Sequence, residues 1–331
     1  MLRIKTNNSL VSDHVENLYK NIQTRITRVI KVGGLKKKNT QGDLVLAIHL
    51  SSTDIIFLNK IKKDVYLKKL ISASPSQLKK IIKLIHKYYP DAEDQTKDLY
   101  KCLFNIFVNH GYEKDKNINK YEFIQNIGLG SCPYCNRNYI YTLDKNRLLK
   151  AKIDHFYPKS LYPILAVSYF NLIPSCLTCN GLGAKGSKDT FNKYPLKNPY
   201  EIEPDDFIFD YSIKSMNILN PITNIDKNSI EILFDTHIKS HSDVFGLDLL
   251  YEENRDIVIE LYLKVKHEYV KQHIKYLHSY RGLKFSDEEV YRFITCGYFK
   301  DEDLHKRPMS KLIKDISIKL ELINPNGKFF K

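Results

Sequence analysis

The sequence predicts an α+β fold: a mainly helical chain enclosing one small, cysteine-framed unit of two short strands and a helix. Three observations predict it. Apolar residues recur at three- and four-residue steps near both ends of the chain, the mark of one buried helical face. Residues 121–199 change character, with glycines, prolines and short apolar runs. Four of the six cysteines fall into two C-x-x-C pairs within that stretch. The 331 residues have room for two or three compact units, since single cores take roughly 100–200 residues. They divide into a basic, mainly helical region (1–125), a cysteine-bearing module (126–205) and a second mainly helical region (206–331).

Val15, Leu18, Ile22, Ile26 and Ile30 place a helix over residues 13–32, and Gly33-Gly34 stops it. Lys36-Lys37-Lys38 with Thr40-Gln41-Gly42 reads as an exposed loop. Residues 44–50 suit a strand or a buried helical turn, and periodicity does not choose between them. Helices follow over 76–89, opened by Ser74-Pro75-Ser76-Gln77, and over 94–109. In the module, a hairpin over 138–153 is expected to run into Asp154-His155. A second strand near 171–174 and a short helix from Cys176 complete it. A β-like or loop passage covers 207–222, and helix returns over 249–280, 287–296 and 310–322.

The formal charge of +14 is uneven: residues 1–90 hold 18 Lys and Arg against 5 Asp and Glu. Such a segment suits a polyanion, because each cation that neutralises a phosphate releases counterions; solvated lysines are the plainer explanation. No apolar run reaches the ~20 residues that span a bilayer, which excludes a membrane-spanning helix. The opening Met1-Leu2-Arg3-Ile4-Lys5 offers no signal-peptide core, so a cytoplasmic location is expected.

In a reducing compartment, paired cysteines favour metal over disulfide. Cys132-Pro133-Tyr134-Cys135 and Cys176-Leu177-Thr178-Cys179 have the spacing that lets two thiolates reach one tetrahedral zinc ion from a tight turn. Two such pairs make a closed structural Zn²⁺ site, the competing use being a redox dithiol. Cys102 and Cys296 stand alone in apolar surroundings and read as small core residues.

Between the pairs lie Asp154-His155-Phe156-Tyr157-Pro158-Lys159 and Asn171; Asn180 and Lys185 follow Cys179. From residue 132 to 185 this order resembles the HNH (ββα-metal) endonucleases, whose zinc-bearing members carry cysteine pairs in the same arrangement. The resemblance implies a zinc-stabilised ββα-metal module and hydrolysis of phosphodiester bonds, with DNA favoured over RNA. It assigns His155 as general base, suited because a neutral imidazole takes a proton near working pH. By position, Asp154 and Asn180 would hold a hard divalent ion, Mg²⁺ or Mn²⁺. Asn171 would brace the loop and orient the base, and Lys185 would meet the scissile phosphate as a point charge. Asn180 stands where the family's name has a third His. The Cys-Pro-Tyr-Cys-Asn-Arg opening, Asp-His-Phe-Tyr-Pro-Lys-Ser and Arg307-Pro308-Met309-Ser310-Lys311 are similar to bacterial defence-associated HNH nucleases of the PtuB kind. These act with an ATPase partner in Septu and some retron systems, which implies the same partner and an antiviral role here. The rival readings are a non-catalytic zinc module that binds nucleic acid or protein, and an RNase using the same residues.

Three weaker signals are set aside. Gly181-Leu182-Gly183-Ala184-Lys185-Gly186 spells a dinucleotide fingerprint but lacks the flanking strand and long helix. His237 and His241 read as solvated. Tyr139, Tyr141, Tyr157 and Tyr162 could stack on bases, with core packing the commoner use.

Overall fold

A computed structural model of the protein describes residues 1–114, 118–142, 151–219, 226–236, 239–266, 269–280, 282 and 284–329. Helix α1 (Asn8–Val32) buries Val15, Leu18, Tyr19, Ile22, Ile26 and Val29 along one face. It starts earlier than its apolar stripe because Asn7 caps it, accepting the Ser9 N–H, and it ends on Gly33 at φ +72°. Lys36-Lys37-Lys38 is not loop. It belongs to strand β1 (Gly34–Lys38), antiparallel to β2 (Leu44–His49), with Lys37 opposite Val45. Asn39 closes the intervening turn by accepting the Gln41 and Asp43 N–H groups.

Helices α2 (Ser52–Ile61) and α3 (Asp64–Ile71), too short to show a period in the sequence, pack on α1. Helix α4 (Pro75–Tyr88) opens with a Ser74–Gln77 capping box. Residues 94–109, expected as one helix, divide into α5 (Asp98–Leu103) and a π-helical stretch, Phe104–Glu113. That wider winding is rare and delivers Tyr112 and Glu113 to the site below. Helix α6 (Lys120–Ile127) follows.

In the cysteine-framed region, β3 (Lys152–His155) pairs antiparallel with β4 (Leu172–Ser175), placing Asp154 opposite Ile173 and His155 opposite Leu172. A single turn, α7 (Leu177–Asn180), follows, capped by the Cys176 sulfur. Of the expected hairpin over 138–153, residues 143–150 lie outside the described residues; the described part joins Ser131 to Tyr139 in an isolated bridge.

Part of the 207–222 passage is strand β5 (Phe207–Ile213), antiparallel to β6 (Ile230–Thr236), which the sequence did not announce. Residues 220–222 lie outside the described residues. The C-terminal region is α8 (Lys239–Phe245), α9 (Leu247–Glu252), α10 (Arg255–Lys266), α11 (Tyr269–Ser279), α12 (Asp287–Thr295) and α13 (Ser310–Lys319). Helices with three two-stranded antiparallel sheets among the described residues make the fold α+β, as predicted.

Both helical regions grip the cysteine-framed one. From the N-terminal side, His14 Nε2 donates to the Val167 carbonyl (2.9 Å) and Ser168 donates to that of Leu70 (2.8 Å). From the C-terminal side, Met309 N–H donates to the Asn136 carbonyl (2.7 Å), the Asn136 side chain accepts the Lys311 N–H (3.0 Å), and Tyr251 donates to the Cys135 carbonyl. One apolar core runs through all three.

Candidate metal centre and adjoining cleft

Cys132, Cys135, Cys176 and Cys179 converge, their sulfurs all within 4.8 Å of one another and buried. The Cys135 and Cys176 sulfurs are 4.0 Å apart. A Zn–S bond of about 2.3 Å sets a tetrahedral edge of roughly 3.8 Å, so the donor set fits one zinc ion. No disulfide forms among them. N–H groups of Arg137, Cys176 and Cys179 each donate to a cage sulfur at 3.4 Å, which favours thiolate. Burial pushes the Cys132 thiol up, while the neighbouring sulfurs pull that of Cys176 down. Four sulfurs this close are stable as thiolates only around a cation. Of the lone cysteines, Cys102 is core, its thiol raised to about 12 by burial. Cys296 is exposed, contrary to expectation, because it caps α12 in the left-handed conformation at φ +58°.

Beside the cage opens a cleft of about 540 Å³, lined by Asp154, His155 and Asn180 and walled by Tyr112, Lys120 and Lys159. Asp154 is 3% exposed. Its Oδ2 accepts the Tyr134 hydroxyl at 2.7 Å and its Oδ1 the Lys185 amine at 3.0 Å. Lys185 also donates to the His155 carbonyl at 2.6 Å and is fully buried. Lys185, expected to contact a phosphate, is therefore enclosed, with its amine on a carboxylate and not among the residues that line the cleft.

His155 sits at the end of β3 with its ring edge-on to Tyr112, centroids 4.3 Å apart. Its Nε2 faces the Ala166 carbonyl at 3.1 Å. A carbonyl only accepts, so Nε2 carries the proton and Nδ1 keeps a lone pair, with no hydrogen-bond partner among the described residues. Burial, reinforced by the Lys159 and Lys185 charges, pushes the imidazole down to about 3, so the ring is neutral at neutral pH but a weaker base than the ordinary imidazole expected from the sequence. Asn171 is fully buried. It accepts the Tyr157 N–H (2.7 Å) and donates to the Tyr157 and Leu165 carbonyls (3.1 and 3.0 Å), tying the whole loop after β3 to β4. The Asn180 amide lines the cleft with no side-chain hydrogen bond among the described residues.

The cleft wall was invisible in the sequence. Glu113 pairs with Lys120 (3.1 Å) and Lys159, and both amines lie over the Tyr112 ring, at 4.3 and 5.1 Å. Burial pushes the Glu113 carboxyl up, but the two amines outweigh it and hold it below its usual range. Tyr112 and Glu113 stand far upstream of the motif, so only the fold reveals them. Tyr134 was missed too, although its place between two ligand cysteines was a readable sign.

Among the remaining expectations, Tyr157 and Tyr162 are buried, whereas Tyr139 and Tyr141 are exposed and lie 5.3 Å apart. His241 is not solvated: it is fully buried and accepts the Lys197 N–H at 2.8 Å. His237 lies outside the described residues. The glycine-rich stretch follows the one-turn α7 and leads into turns, with no long helix to carry a dinucleotide site.

The chain is similar to the Septu protein PtuB of Bacillus thuringiensis at 39% identity over 74 residues. The match covers 22% of this chain and 28% of that protein, so it spans about a quarter of the curated relative. No family model matches the chain, and no solved structure does. The chain is thus a partial relative of a Septu protein and carries a buried four-cysteine cluster with the donor set for zinc. No described helix is long and apolar enough to cross a membrane.

Proposed function

We propose that the chain is a metal-dependent HNH-type endonuclease that hydrolyses phosphodiester bonds in nucleic acid, DNA in preference to RNA, within a bacterial antiviral defence system. The observation that carries this reading is the meeting of His155, Asp154 and Asn180 at one cleft beside a four-cysteine cage. Hydrolysis of a phosphodiester needs an activated water, neutralised charge and help for the leaving oxygen.

His155 takes the proton from water at Nδ1, the lone pair left when Nε2–H is held by Ala166. Asn171 orients it indirectly, since the loop it braces at Leu165 carries that same Ala166 carbonyl. Asp154 and Asn180 would hold the hard cation: an ionised carboxylate has about four acceptor positions, of which Tyr134 and Lys185 use two. When bound, Mg²⁺ or Mn²⁺ would supply charge neutralisation at the phosphate. Lys120 and Lys159, on the open wall, take over the phosphate contact first assigned to Lys185. Similarity to the Septu protein supports the defence role, and the family resemblance extends it to an ATPase partner that governs the nuclease.

Plasmid nicking with Mg²⁺ or Mn²⁺ tests the reading. His155→Ala should lower the rate at least ~100-fold while zinc content stays unchanged. Equal cleavage by the two proteins removes His155 from the mechanism. Failure of the unmodified chain to cut labelled DNA or RNA, alone or with an ATPase partner, favours a non-catalytic zinc module whose contact surface is the basic segment 1–90.

A further inference from the structure

We infer that the cysteine cage anchors the reactive carboxylate, with Tyr134 and Lys185 as positioning residues that act through Asp154; the catalytic half of this inference rests on the nuclease reading. Each oxygen of Asp154 is held from a different cysteine pair. Tyr134 lies between Cys132 and Cys135, and its fully buried ring stacks on Phe245 with centroids 4.6 Å apart. That ring directs its hydroxyl onto Oδ2 at 2.7 Å. Lys185 lies beyond Cys179, whose carbonyl accepts the Lys185 backbone N–H at 3.2 Å. Its amine reaches Oδ1 at 3.0 Å and the His155 carbonyl at 2.6 Å.

One ion binding four sulfurs therefore fixes the origins of both donors, and the donors fix the end of β3. The strand has need of this. Among the described residues β3 is a four-residue strand paired only with β4, so its ladder secures one edge alone. The direction of the His155 ring follows from the same clamp, because Lys185 also holds the His155 carbonyl. Residues that touch neither substrate nor water would thus set where the carboxylate and base stand.

Tyr134→Phe removes only the hydroxyl and keeps the ring on Phe245, so it is the cleanest test; Lys185→Gln is the second variant. For Tyr134→Phe, zinc should stay at ~one ion per chain. Hydrogen exchange across residues 152–157 should quicken by about 10-fold, with α1 and α13 unchanged. In plasmid nicking, kcat should fall roughly 10- to 100-fold, as a displacement of about 1 Å predicts, with KM for DNA nearly constant. Stripping zinc by chelation should loosen 152–157 together with the cysteine turns.

Unchanged exchange at 152–157 in both variants overturns the anchor, as does a rigid 152–157 after zinc removal. Nicking by Tyr134→Phe at the unmodified rate overturns its positioning role. Faster exchange in a chain that cuts no nucleic acid sustains the anchor and sinks the nuclease reading alone.

Discussion

Replacing Lys185 by Met tests the buried ion pair independently of any activity. The methylene stem is kept and the amine lost, leaving Asp154, at 3% exposure, with the Tyr134 hydroxyl as its remaining partner. Breaking a buried pair from one side costs about 3–5 kcal/mol, because the surviving charge is stranded. Here the lower end applies, since Tyr134 still donates and Asp154 borders an open cleft. About 3 kcal/mol corresponds to a fall of roughly 6 °C in the unfolding midpoint, at ~2 °C per kcal/mol for a chain of this size. The assay is thermal unfolding at pH 7.5 with zinc present, run as a double-mutant cycle with Asp154→Asn. Removing the stranded charge should recover about 2 kcal/mol of the loss, so the double variant is more stable than the two single losses summed. A midpoint for K185M within about 2 °C of the unmodified protein, or strict additivity in the cycle, would refute the pairing.

Two further predictions concern zinc and pH. Cys132→Ser should lower bound zinc from ~one ion per chain to nearly none by metal analysis; structural sites supply about 10–16 kcal/mol, as much as a whole domain's stability, so the variant should also lose ordered structure. Full zinc with an unchanged melting curve would dissolve the cage. His241 is buried neutral, its imidazole pushed down by burial to about 3. On acidification the unfolded chain takes up that proton first, near pH 6.5, so stability is complete above that value and declines toward pH 3. At pH 5 the loss is about 2 kcal/mol, and His241→Gln, whose amide oxygen can still accept the Lys197 N–H, should flatten the difference in urea stability between pH 7 and 5. Equal slopes in the two proteins would show that His241 is not held neutral.

What the sequence disclosed follows from the range of each signal. The cage was legible because ligand spacing is a local constraint: two thiolates reach one ion only from a tight turn, and C-x-x-C records that turn directly. Helix α1 and the start of α4 were legible for the same reason, through an apolar stripe at three- and four-residue steps and a Ser74–Gln77 box. The β1–β2 hairpin was not, because three consecutive lysines look like a loop until the opposite strand is known, and pairing is a non-local fact. Helices α2 and α3 are too short for periodicity to stand out. The π-helical winding after α5 has no compositional mark, so the wall of Tyr112 and Glu113 stayed hidden.

Lys185 shows where a motif stops being informative. Beside glycines and a serine it reads as a solvated cation, and a solvated cation next to a nuclease motif reads as a phosphate ligand. In the fold its backbone N–H is held by the Cys179 carbonyl and its side chain is fully enclosed. An enclosed ammonium must be compensated, and Asp154 is the carboxylate that receives it. In the nuclease proposal the same carboxylate would serve a divalent ion through what acceptor capacity remains. Lys185 and Tyr134 would thus bear on divalent-ion affinity as well as on the position of Asp154. The loss of kcat in Tyr134→Phe and Lys185→Gln should then come with a raised divalent-ion concentration for half-maximal nicking; an unchanged requirement in both variants would remove this second role.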